Sequence, residues 1–191
     1  MNTIIYLVRH GDSPKEGNER TRELTEKGYR DAERVAEVLK EEDVDVVASS
    51  PYRRSVLTVE KVAKTLHKEV VIIEELKERI FSPKGTRLSD KELAPLLEQS
   101  FLDPHFSLEG GESNNECQKR AVKVVKDLIN TYEGKKIVIG SHGAVMTLIM
   151  NHFDPRCDLQ FLNSMTKPDI YKLTLHHDEL MDDVERLWES V

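Results

Sequence analysis

Two histidine–glycine pairs follow apolar runs of the sequence, at positions where a β-strand would end. His10 and Gly11 come after the run "IIYLVR", and His142 and Gly143 come after "IVIGS". A single histidine at a strand end is more often structural than functional, but glycine lets a ligand approach the backbone, and two such pairs favour function. A neutral imidazole can act as a nucleophile or carry a proton near neutral pH. The two pairs therefore predict a reactive site that contains both histidines.

Arginines accompany the histidines and indicate the charge of the ligand. Arg9 directly precedes His10, and Arg53 and Arg54 begin the helix that we predict after the strand "VDVVASS". A guanidinium group suits two phosphate oxygens at once. The alternative for Arg53 and Arg54 is a solvated helical turn, which is reasonable for one of them. However, the helix dipole disfavours a cation in the first turn unless an anion is near, so the sequence predicts an anion site.

These residues resemble the signature of a known enzyme family. The stretch "LVRHGDS" is similar to the "RHGE[ST]" motif of the histidine phosphatase superfamily, also called the phosphoglycerate mutase-like family. Five further stretches resemble motifs of that family in the same order, namely "ELTEKG" its "LTxxG", "SSPYRRS" its "SSxLxRA", "ELKERI" its "LxE", "GGES" its "GES" and "IGSHG" its "SHG". One such motif would be weak evidence, but six in order over nearly the whole chain are strong.

The resemblance implies a role for the residues of the first and third motifs. His10 would be the nucleophile that becomes phosphohistidine, and Arg9 would bind the phosphoryl group. In "SSPYRRS" the matching arginine is the fourth residue after Ser50. The resemblance therefore implies that Arg54, rather than Arg53, belongs to the site.

Three more residues complete the implied site. His142 would donate a hydrogen bond to the phosphoryl oxygens, and Gly143 would help to bind the substrate phosphate. Glu78, the last residue of "LKE", matches the family's proton donor to the leaving group. An alcohol is a poor leaving group, so Glu78 must carry a proton that it can give to the alcohol oxygen as the alcohol leaves. The same carboxylate can then activate water.

The residue types suit attack on a phosphomonoester. Such an ester is dianionic at neutral pH and repels anionic nucleophiles, but it does not repel a neutral imidazole held in the correct tautomer. Two guanidinium groups and a second histidine would stabilise charge on the transferring oxygens, each such donor contributing about 3–4 kcal/mol in comparable sites. Because arginines supply this charge, we expect no metal ion and no cofactor.

The elements that must carry these residues alternate between strands and helices. Strand-like runs are "TIIYLV", "VDVVASS", "VVIIEEL", "KKIVIGSHG" and "DIYKLTLHH". Helical spacing of apolar residues predicts helices over about 26–42, 54–67 and 144–153, and S-x-x-E capping boxes at Ser89 and Ser113 begin two more. On the first helix, the residues expected to face the core are Tyr29, Ala32, Ala36 and Leu39. Residues 180–188 fit either a helix or a closing hairpin strand.

This alternation predicts an α/β fold, a three-layer sandwich with a mostly parallel central sheet flanked by helices. Ligands of such sheets bind beyond the carboxyl ends of the strands. The polar clusters at residues 9–11, 49–54 and 141–143 each follow a strand, so we expect them to meet at one edge of the sheet. No linker or repeat interrupts the 191 residues, which predicts a single domain over residues 1–191.

Composition limits the partners of the protein. The net charge of −7 argues against nucleic acid or an anionic membrane as the main partner, and a small phosphorylated substrate is expected instead. No apolar run approaches the roughly 20 residues of a membrane helix, and the first residues lack a signal-peptide pattern. Cys117 and Cys157 fit no metal spacing and are expected as reduced thiols, which favours the cytoplasm. The oligomeric state is not predicted.

Three other classes of function compete with a phosphatase. A serine hydrolase using Ser141 would need a glycine where "IGSHG" has isoleucine. A metal hydrolase using the site histidines, or the adjacent pair His176 and His177, would place its cation beside arginines. A non-catalytic binding module on the same fold would be expected to lose one of the two site histidines, and both are present.

A cofactor-dependent phosphoglycerate mutase would share all of the implied catalytic residues. A mutase must keep water from its phosphohistidine, and the family's mutases resemble longer chains with an insertion between the acid and "GES". Here only residues 79–111 separate Glu78 from Glu112, so hydrolysis is expected. Residues 81–105 should line the mouth of the pocket, where Lys84 and Arg87 would contact a second anionic group or, as the favoured alternative, remain solvated.

Overall fold

A seven-stranded sheet forms the middle layer of the computed structural model, which describes residues 1–83 and 85–191. Its strands are β1 (Thr3–Arg9), β2 (Val46–Ser49), β3 (Val70–Ile72), β4 (Lys136–Ser141), β5 (Asp169–His176), β6 (Glu179–Leu180) and β7 (Glu185–Arg186). Their order is β3-β2-β4-β1-β5-β6, and β7 also pairs with β5. The first four strands are mutually parallel, whereas β5 runs antiparallel to β1. The predicted α/β sandwich with a mostly parallel sheet is confirmed.

Helices cover both faces of this sheet. They are α1 (Glu26–Lys40), α2 (Arg53–Thr65), α3 (Asp90–Leu102), α4 (Asn114–Thr131), α5 (Gly143–Phe153) and α6 (Leu159–Ser164). The caps explain where several of them begin. Thr25 accepts from the Gly28 N–H at the start of α1, and the capping boxes predicted at Ser89 and Ser113 are both formed. Each cap satisfies backbone N–H groups that have no partner inside the helix.

The two faces of β1 belong to two different layers of the core. Ile5 and Leu7 pack with residues of α4 and α5, whereas Tyr6 and Val8 pack with residues of α1 and α2. All four side chains are fully buried. A strand whose successive side chains point to opposite faces can be apolar throughout only if both faces are covered, which is the position of a central strand.

Two details of the first half of the chain differ from the sequence prediction. Tyr29 was expected in the core but is 40 % exposed, and its hydroxyl donates to Glu23. Ala32, Ala36 and Leu39 are buried as expected, and Val35 is buried with them. Residues 74–76 were expected to continue the third strand but form a 3-10 turn. Strand β3 lies at the sheet edge and pairs only with β2, whose last residue, Ser49, is opposite Ile72. The chain turns where its pairing partner ends.

The C-terminal part also adds to the prediction. The short helix α6 was not expected. Residues 180–188, for which a helix and a hairpin strand were both considered, contribute to β6 and β7, which pair with β5. Trp188 follows β7 and is buried against the α1 side of the core. His177 lies on the exposed turn after β5. Cys117 and Cys157 are buried free thiols. Among the described residues, no helix is both long and apolar enough to cross a membrane.

Candidate active site

Strand pairing brings the three polar clusters together at the carboxyl edge of the sheet. Arg9, the last residue of β1, is opposite Ser141, the last residue of β4. Beyond this pair, the His10 N–H donates to the Ser141 carbonyl at 3.1 Å, and the Ser50 N–H donates to the Gly140 carbonyl at 2.9 Å. The residues that follow β1, β2 and β4 therefore lie side by side, as expected.

His10 is held in one tautomer at the centre of this edge. Its Nδ1 lies 2.7 Å from the Gly11 carbonyl, which can only accept, so the proton is on Nδ1. Its Nε2 lies 3.2 Å from Nε of Arg54, which can only donate, so Nε2 carries the lone pair. The ring is 5 % exposed, and burial, together with the charges of Arg54 and Arg9, holds the pKa of His10 well below its usual value. His10 is thus a neutral imidazole with an available nitrogen.

Arg54 rather than Arg53 lies against this histidine. Arg54 is 1 % exposed, and besides its contact with His10 it donates to the backbone carbonyl of Glu19 at 2.5 Å and to the Glu19 carboxylate at 2.9 Å. Burial lowers the pKa of Arg54 to about 10, so it remains a cation at neutral pH. Arg53 is exposed and forms an ion pair with Glu23 at 3.6 Å. Of the two arginines, only Arg54 is positioned to contact an anion at His10.

Arg9 is held by carbonyl groups rather than by an acid. Its Nη1 donates to the carbonyls of Met165 and Thr166 at 3.2 and 3.4 Å, and its buried Nε has no hydrogen-bond partner. A Cβ atom at Gly143 would lie only 2.8 Å from the guanidinium carbon of Arg9. The guanidinium plane therefore rests on the backbone at the start of α5, and one of its N–H groups lacks an acceptor.

His142 contributes the second unpaired nitrogen. Its ring is fully buried and its centroid is 5.2 Å from that of His10. Nε2 of His142 is 2.8 Å from the Ser50 hydroxyl, whereas the buried Nδ1 has no partner. Burial first, and then the charge of Arg54, hold the pKa of His142 well below its usual value. The ring is therefore neutral in the absence of an added anion.

Glu78 lines the same cavity as Arg9, His10 and Arg54, and its carboxylate is hydrogen-bonded to the start of α5. Its carboxylate accepts from the N–H of Arg79 at 2.8 Å, of Val145 at 2.9 Å and of Ala144 at 3.1 Å. Two of these donors belong to the first turn of α5, whose N–H groups have no partner within the helix. These N–H groups are occupied by Glu78 and are not free for a substrate anion.

The glycines of the motifs allow parts of the protein itself to approach closely. A Cβ at Gly11 would lie 3.1 Å from the Gly28 carbonyl, and a Cβ at Gly28 would lie 2.2 Å from the Asp12 carbonyl. Gly28 is the glycine of "ELTEKG", so the first and second motifs meet here backbone to backbone. At Gly11 and Gly143 the space that we expected for a ligand is filled by Gly28 and by Arg9, respectively.

A cavity of about 520 Å³ is lined by Arg9, His10, Arg54 and Glu78, whereas His142 and Gly143 lie behind its lining residues. Its described lining contains the charged residues Arg9, Glu19, Arg20, Arg22, Arg54, Lys77, Glu78, Arg79, Arg87 and Lys167. Of the segment 81–105 expected at the mouth, residues 81–83, 85–88 and 93 line the cavity, whereas the other described residues of the segment do not. Arg87 was expected to remain solvated, but it pairs with Asp90 at 2.5 Å and its side chain is only 12 % exposed. Lys84 lies outside the described residues. The cavity wall is mainly cationic.

Several residues of this site were missed at the sequence level. Ser50 belongs to the predicted cluster 49–54, but its contact with His142 was not predicted. Glu19 and Arg22 lie in a loop without periodicity, and Lys167 precedes a strand that runs against its neighbour, so no local pattern marks them. Within the described part of the chain, no three His, Cys, Asp or Glu side chains are grouped to hold a metal ion.

Comparison with known proteins agrees with this arrangement. The model of the histidine phosphatase superfamily (branch 1) matches residues 5–180. The uncharacterized phosphatase PhoE of Bacillus subtilis (strain 168) is 26 % identical over 153 residues, which are 78 % of this chain and 76 % of that protein.

Solved structures are similar over almost the whole chain. YhfR of Bacillus stearothermophilus is 25 % identical with a TM-score of 0.80, covering 96 % of each chain. A phosphoserine phosphatase of Entamoeba histolytica in complex with 3-phosphoglyceric acid is 26 % identical with a TM-score of 0.76, covering 94 % of each chain. A variant of that phosphatase in complex with phosphoserine is 25 % identical with a TM-score of 0.77.

Proposed function

The chain belongs to the histidine phosphatase superfamily, and on this basis we propose that it is a phosphomonoester hydrolase that forms a phosphohistidine at His10. The similarity to phosphatases such as PhoE supports the reaction class. The observation that carries the mechanism is the state of His10, whose Nε2 lone pair faces the cavity edge beside two buried nitrogens, Arg9 Nε and His142 Nδ1, that have no partner. A phosphoryl group would supply oxygen atoms as hydrogen-bond acceptors for these two nitrogens.

We propose that His142 carries its proton on Nδ1. The Ser50 hydroxyl accepts from the Tyr52 N–H at 3.2 Å and can donate its own proton to Nε2 of His142 at 2.8 Å, which leaves the proton of the ring on the unpaired Nδ1. In this tautomer His142 offers a neutral N–H donor to a phosphoryl oxygen, as the family resemblance implies.

The first step transfers the phosphoryl group to His10. When the ester binds, the Arg54 Nε–H donates to a phosphoryl oxygen instead of to the lone pair of His10 Nε2. Nε2 is then free to attack phosphorus. The Nε2–P bond forms, the bond between phosphorus and the ester oxygen breaks, and the ester oxygen takes a proton from Glu78. The proton on Nδ1 stays hydrogen-bonded to the Gly11 carbonyl, which stabilises the positive charge that develops on the ring.

Glu78 serves the two steps in opposite protonation states. In the first step the carboxyl group gives its proton to the ester oxygen. In the second step the oxygen of a water molecule forms a bond to phosphorus, the Nε2–P bond breaks, and the Glu78 carboxylate, held by three backbone N–H donors, takes the proton of that water. Arg9 and Arg54 supply the positive charge on the transferring oxygens, so we propose that no metal ion is needed.

Hydrolysis is favoured over the mutase reaction by the short segment between Glu78 and Glu112. The described residues of this segment include one helix, α3, of 13 residues, and residues 79–83, 85–88, 93 and 110 of the segment line the cavity. A phosphohistidine under so small a cover is accessible to water, which favours release of phosphate. The likeness to the phosphoserine phosphatase supports the same choice.

Rapid-quench mixing with an aryl phosphate in the presence of a chelator tests this function. We expect a burst of aryl alcohol, an acid-labile and base-stable phosphoryl adduct on the protein, and steady release of phosphate. His10→Ala should remove the burst and the adduct and keep the fold, as measured by circular dichroism. Adduct on a serine, or strict dependence on a divalent ion, would refute the mechanism. Fast interconversion of 2- and 3-phosphoglycerate primed by the bisphosphate, with little phosphate released, would establish the mutase instead.

A further inference from the structure

The stretch "GGES" contains a buried acid that the proposed chemistry does not use. This acid, Glu112, lies just before the Ser113 cap of α4, and it forms an ion pair with Arg120 of that helix. Nε of Arg120 donates to one oxygen of the Glu112 carboxylate at 2.6 Å, and Nη2 donates to the other at 2.9 Å. Each of the two side chains is only 13 % exposed. Such a double contact fixes the plane of the guanidinium group and the directions of its other N–H groups.

The other N–H groups of Arg120 bind the backbone that leads to Glu78. Nη1 donates to the carbonyls of Glu75 at 2.5 Å and of Lys77 at 3.1 Å, and Nη2 donates to the carbonyl of Glu78 itself at 3.2 Å. Residues 77–80 belong to no helix or strand, so their backbone groups have no regular partners. Arg120 therefore supplies hydrogen bonds that a regular element would otherwise give to the backbone carrying Glu78.

Glu112 binds the backbone on the other side of Glu78. Its carboxylate accepts from the Ile80 N–H at 3.1 Å, and its own N–H donates to the Ile80 carbonyl at 2.7 Å. The Glu112 carbonyl also accepts from Nε of Arg79 at 2.8 Å. One ion pair thus contacts the chain both before and after Glu78. The first turn of α5 locates the carboxylate of Glu78, and the pair Glu112–Arg120 locates its backbone.

We propose that Glu112 and Arg120 form a clamp that positions Glu78 for proton transfer to the ester oxygen. Both are positioning residues, because they contact the backbone of Glu78 and act on the reaction only through it. The proposal rests on the proposed phosphatase function, in which Glu78 is the acid. A misplacement of about 1 Å can slow a reaction about a hundredfold. Without the clamp, Glu78 should lose its position, whereas the residues that bind the phosphoryl group are carried by other elements and should keep theirs.

Two phenyl phosphates of similar shape separate positioning of the acid from a purely structural role. The leaving group of 4-methylphenyl phosphate is much more basic than that of 4-nitrophenyl phosphate, so it depends far more on receiving a proton. We expect Arg120→Met to reduce kcat/KM for 4-methylphenyl phosphate by about tenfold more than kcat/KM for 4-nitrophenyl phosphate, in the same direction as Glu78→Gln. Glu112→Gln, which removes the charge but keeps the shape, should show a smaller difference of the same sign.

A double variant and a matched control assign the effect to Glu78. With 4-methylphenyl phosphate, Arg120→Met combined with Glu78→Gln should have a kcat/KM within about twofold of that of Glu78→Gln alone, because the clamp has no acid left to position. Arg34→Met is the control. Arg34 also joins a carboxylate, that of Asp31, to a backbone carbonyl, that of Glu189, but it does not line the cavity. This substitution should change kcat/KM for the two esters by the same factor.

Equal losses for the two esters in Arg120→Met, or losses that multiply with those of Glu78→Gln, would overturn the clamp and leave the ion pair a role in the fold alone. Where circular dichroism shows that Arg120→Met is unfolded, Arg120→Lys is measured by the same criteria, because a lysine keeps the charge but lacks the planar fork. Equal losses for the two esters in Glu78→Gln would refute the acid itself, and the clamp with it. Failure of the wild-type protein to hydrolyse either ester would instead refute the phosphatase function.

Discussion

At the scale of single residues, the contact between His10 and Arg54 sets the chemistry of the site. Burial, and after it the charge of this arginine, keep the imidazole neutral, and the arginine faces the lone pair of Nε2 where a phosphoryl oxygen would bind. Its other nitrogens are bound to Glu19, which fixes the guanidinium plane before any substrate arrives. A donor positioned in advance stabilises the transition state without the cost of reorganisation.

Replacing Arg54 by lysine tests this arrangement. A lysine keeps the charge but cannot contact His10, Glu19 and the phosphoryl group from one planar fork, so kcat/KM for an aryl phosphate should fall about 100- to 1000-fold. Arg53→Lys is the matched control, because Arg53 is the exposed neighbour paired with Glu23. Its kcat/KM should stay within twofold of the wild-type value. Equal losses in the two variants would contradict the assignment of Arg54.

The residue types of the site were more predictable than their supports. Arg9, His10, Arg54 and His142 could be predicted because each lies at or after the end of a strand in a stretch that resembles a family motif, and parallel strands end at one edge. Glu19 and Lys167 could not be predicted, because they reach the site from loops whose course depends on tertiary contacts, such as the ion pair of Glu19 with Arg54. The role of Gly143 as a phosphate ligand remains a prediction, and the structure adds its contact with Arg9.

At the scale of elements, the start of α5 joins three parts of the site. His142 precedes the helix, Gly143 begins it beneath the guanidinium of Arg9, and Glu78 accepts from its next two N–H groups. Arg9 in turn is bound to carbonyls of the loop before β5. A small change at this helix end should therefore displace a catalytic cation and leave the core intact.

Gly143→Ala is the substitution that makes this change. The added methyl group would meet the Arg9 guanidinium at 2.8 Å, and because a flexible arginine can move away, the fold should tolerate it. Alanine also favours a helix over glycine by about 1 kcal/mol. We expect kcat/KM for an aryl phosphate to fall at least tenfold while the melting temperature is unchanged or slightly higher. Loss of stability in parallel with activity would show that the effect is not local to Arg9.

Elements could be predicted from the sequence where local signals agreed with tertiary contacts. The boxes at Ser89 and Ser113 predicted two helix starts because a cap acts within four residues. The 3-10 turn at Glu74–Leu76 and the strands β6 and β7 depend instead on where a neighbouring strand ends or begins. Pairing partners distant in sequence decide such segments, and periodicity does not report them.

At the scale of the whole molecule, the fold keeps two histidines neutral inside a cationic centre. His10 and His142 are almost fully buried, and burial together with nearby arginines holds the pKa of each well below its usual value. In the unfolded chain both histidines regain a pKa near 6.5. Because the pKa values of the two histidines differ between the folded and unfolded states, the free energy of unfolding depends on pH.

The sign of this dependence is fixed by which state binds more protons. Below pH 6.5 the unfolded chain takes up protons that the folded protein excludes, so the free energy of unfolding should decrease by about 1.4 kcal/mol per pH unit for each histidine that stays neutral. Between pH 7.5 and 5.0 the loss should be about 2 kcal/mol for each histidine that stays neutral throughout. Carboxyl groups with lowered pKa values, such as Asp90 at about 2, lose their contribution only at lower pH and do not disturb this window.

Urea denaturation in phosphate-free buffers between pH 5.0 and 7.5 measures the effect. His10→Asn should remove part of the decrease, whereas His142 and His152, whose pKa values are also lowered by burial, keep their contributions. His105→Asn is the control, because His105 is exposed and its loss should leave the dependence unchanged. Adding phosphate should raise the stability of the wild-type protein across the window, because an anion that binds only the folded state shifts the equilibrium toward it. Two results would contradict this prediction: a free energy of unfolding that does not change over these pH values, or a decrease that is the same in His10→Asn as in the wild-type protein. Either result would mean that the histidines are protonated in the folded protein and that the neutral nucleophile does not exist at rest.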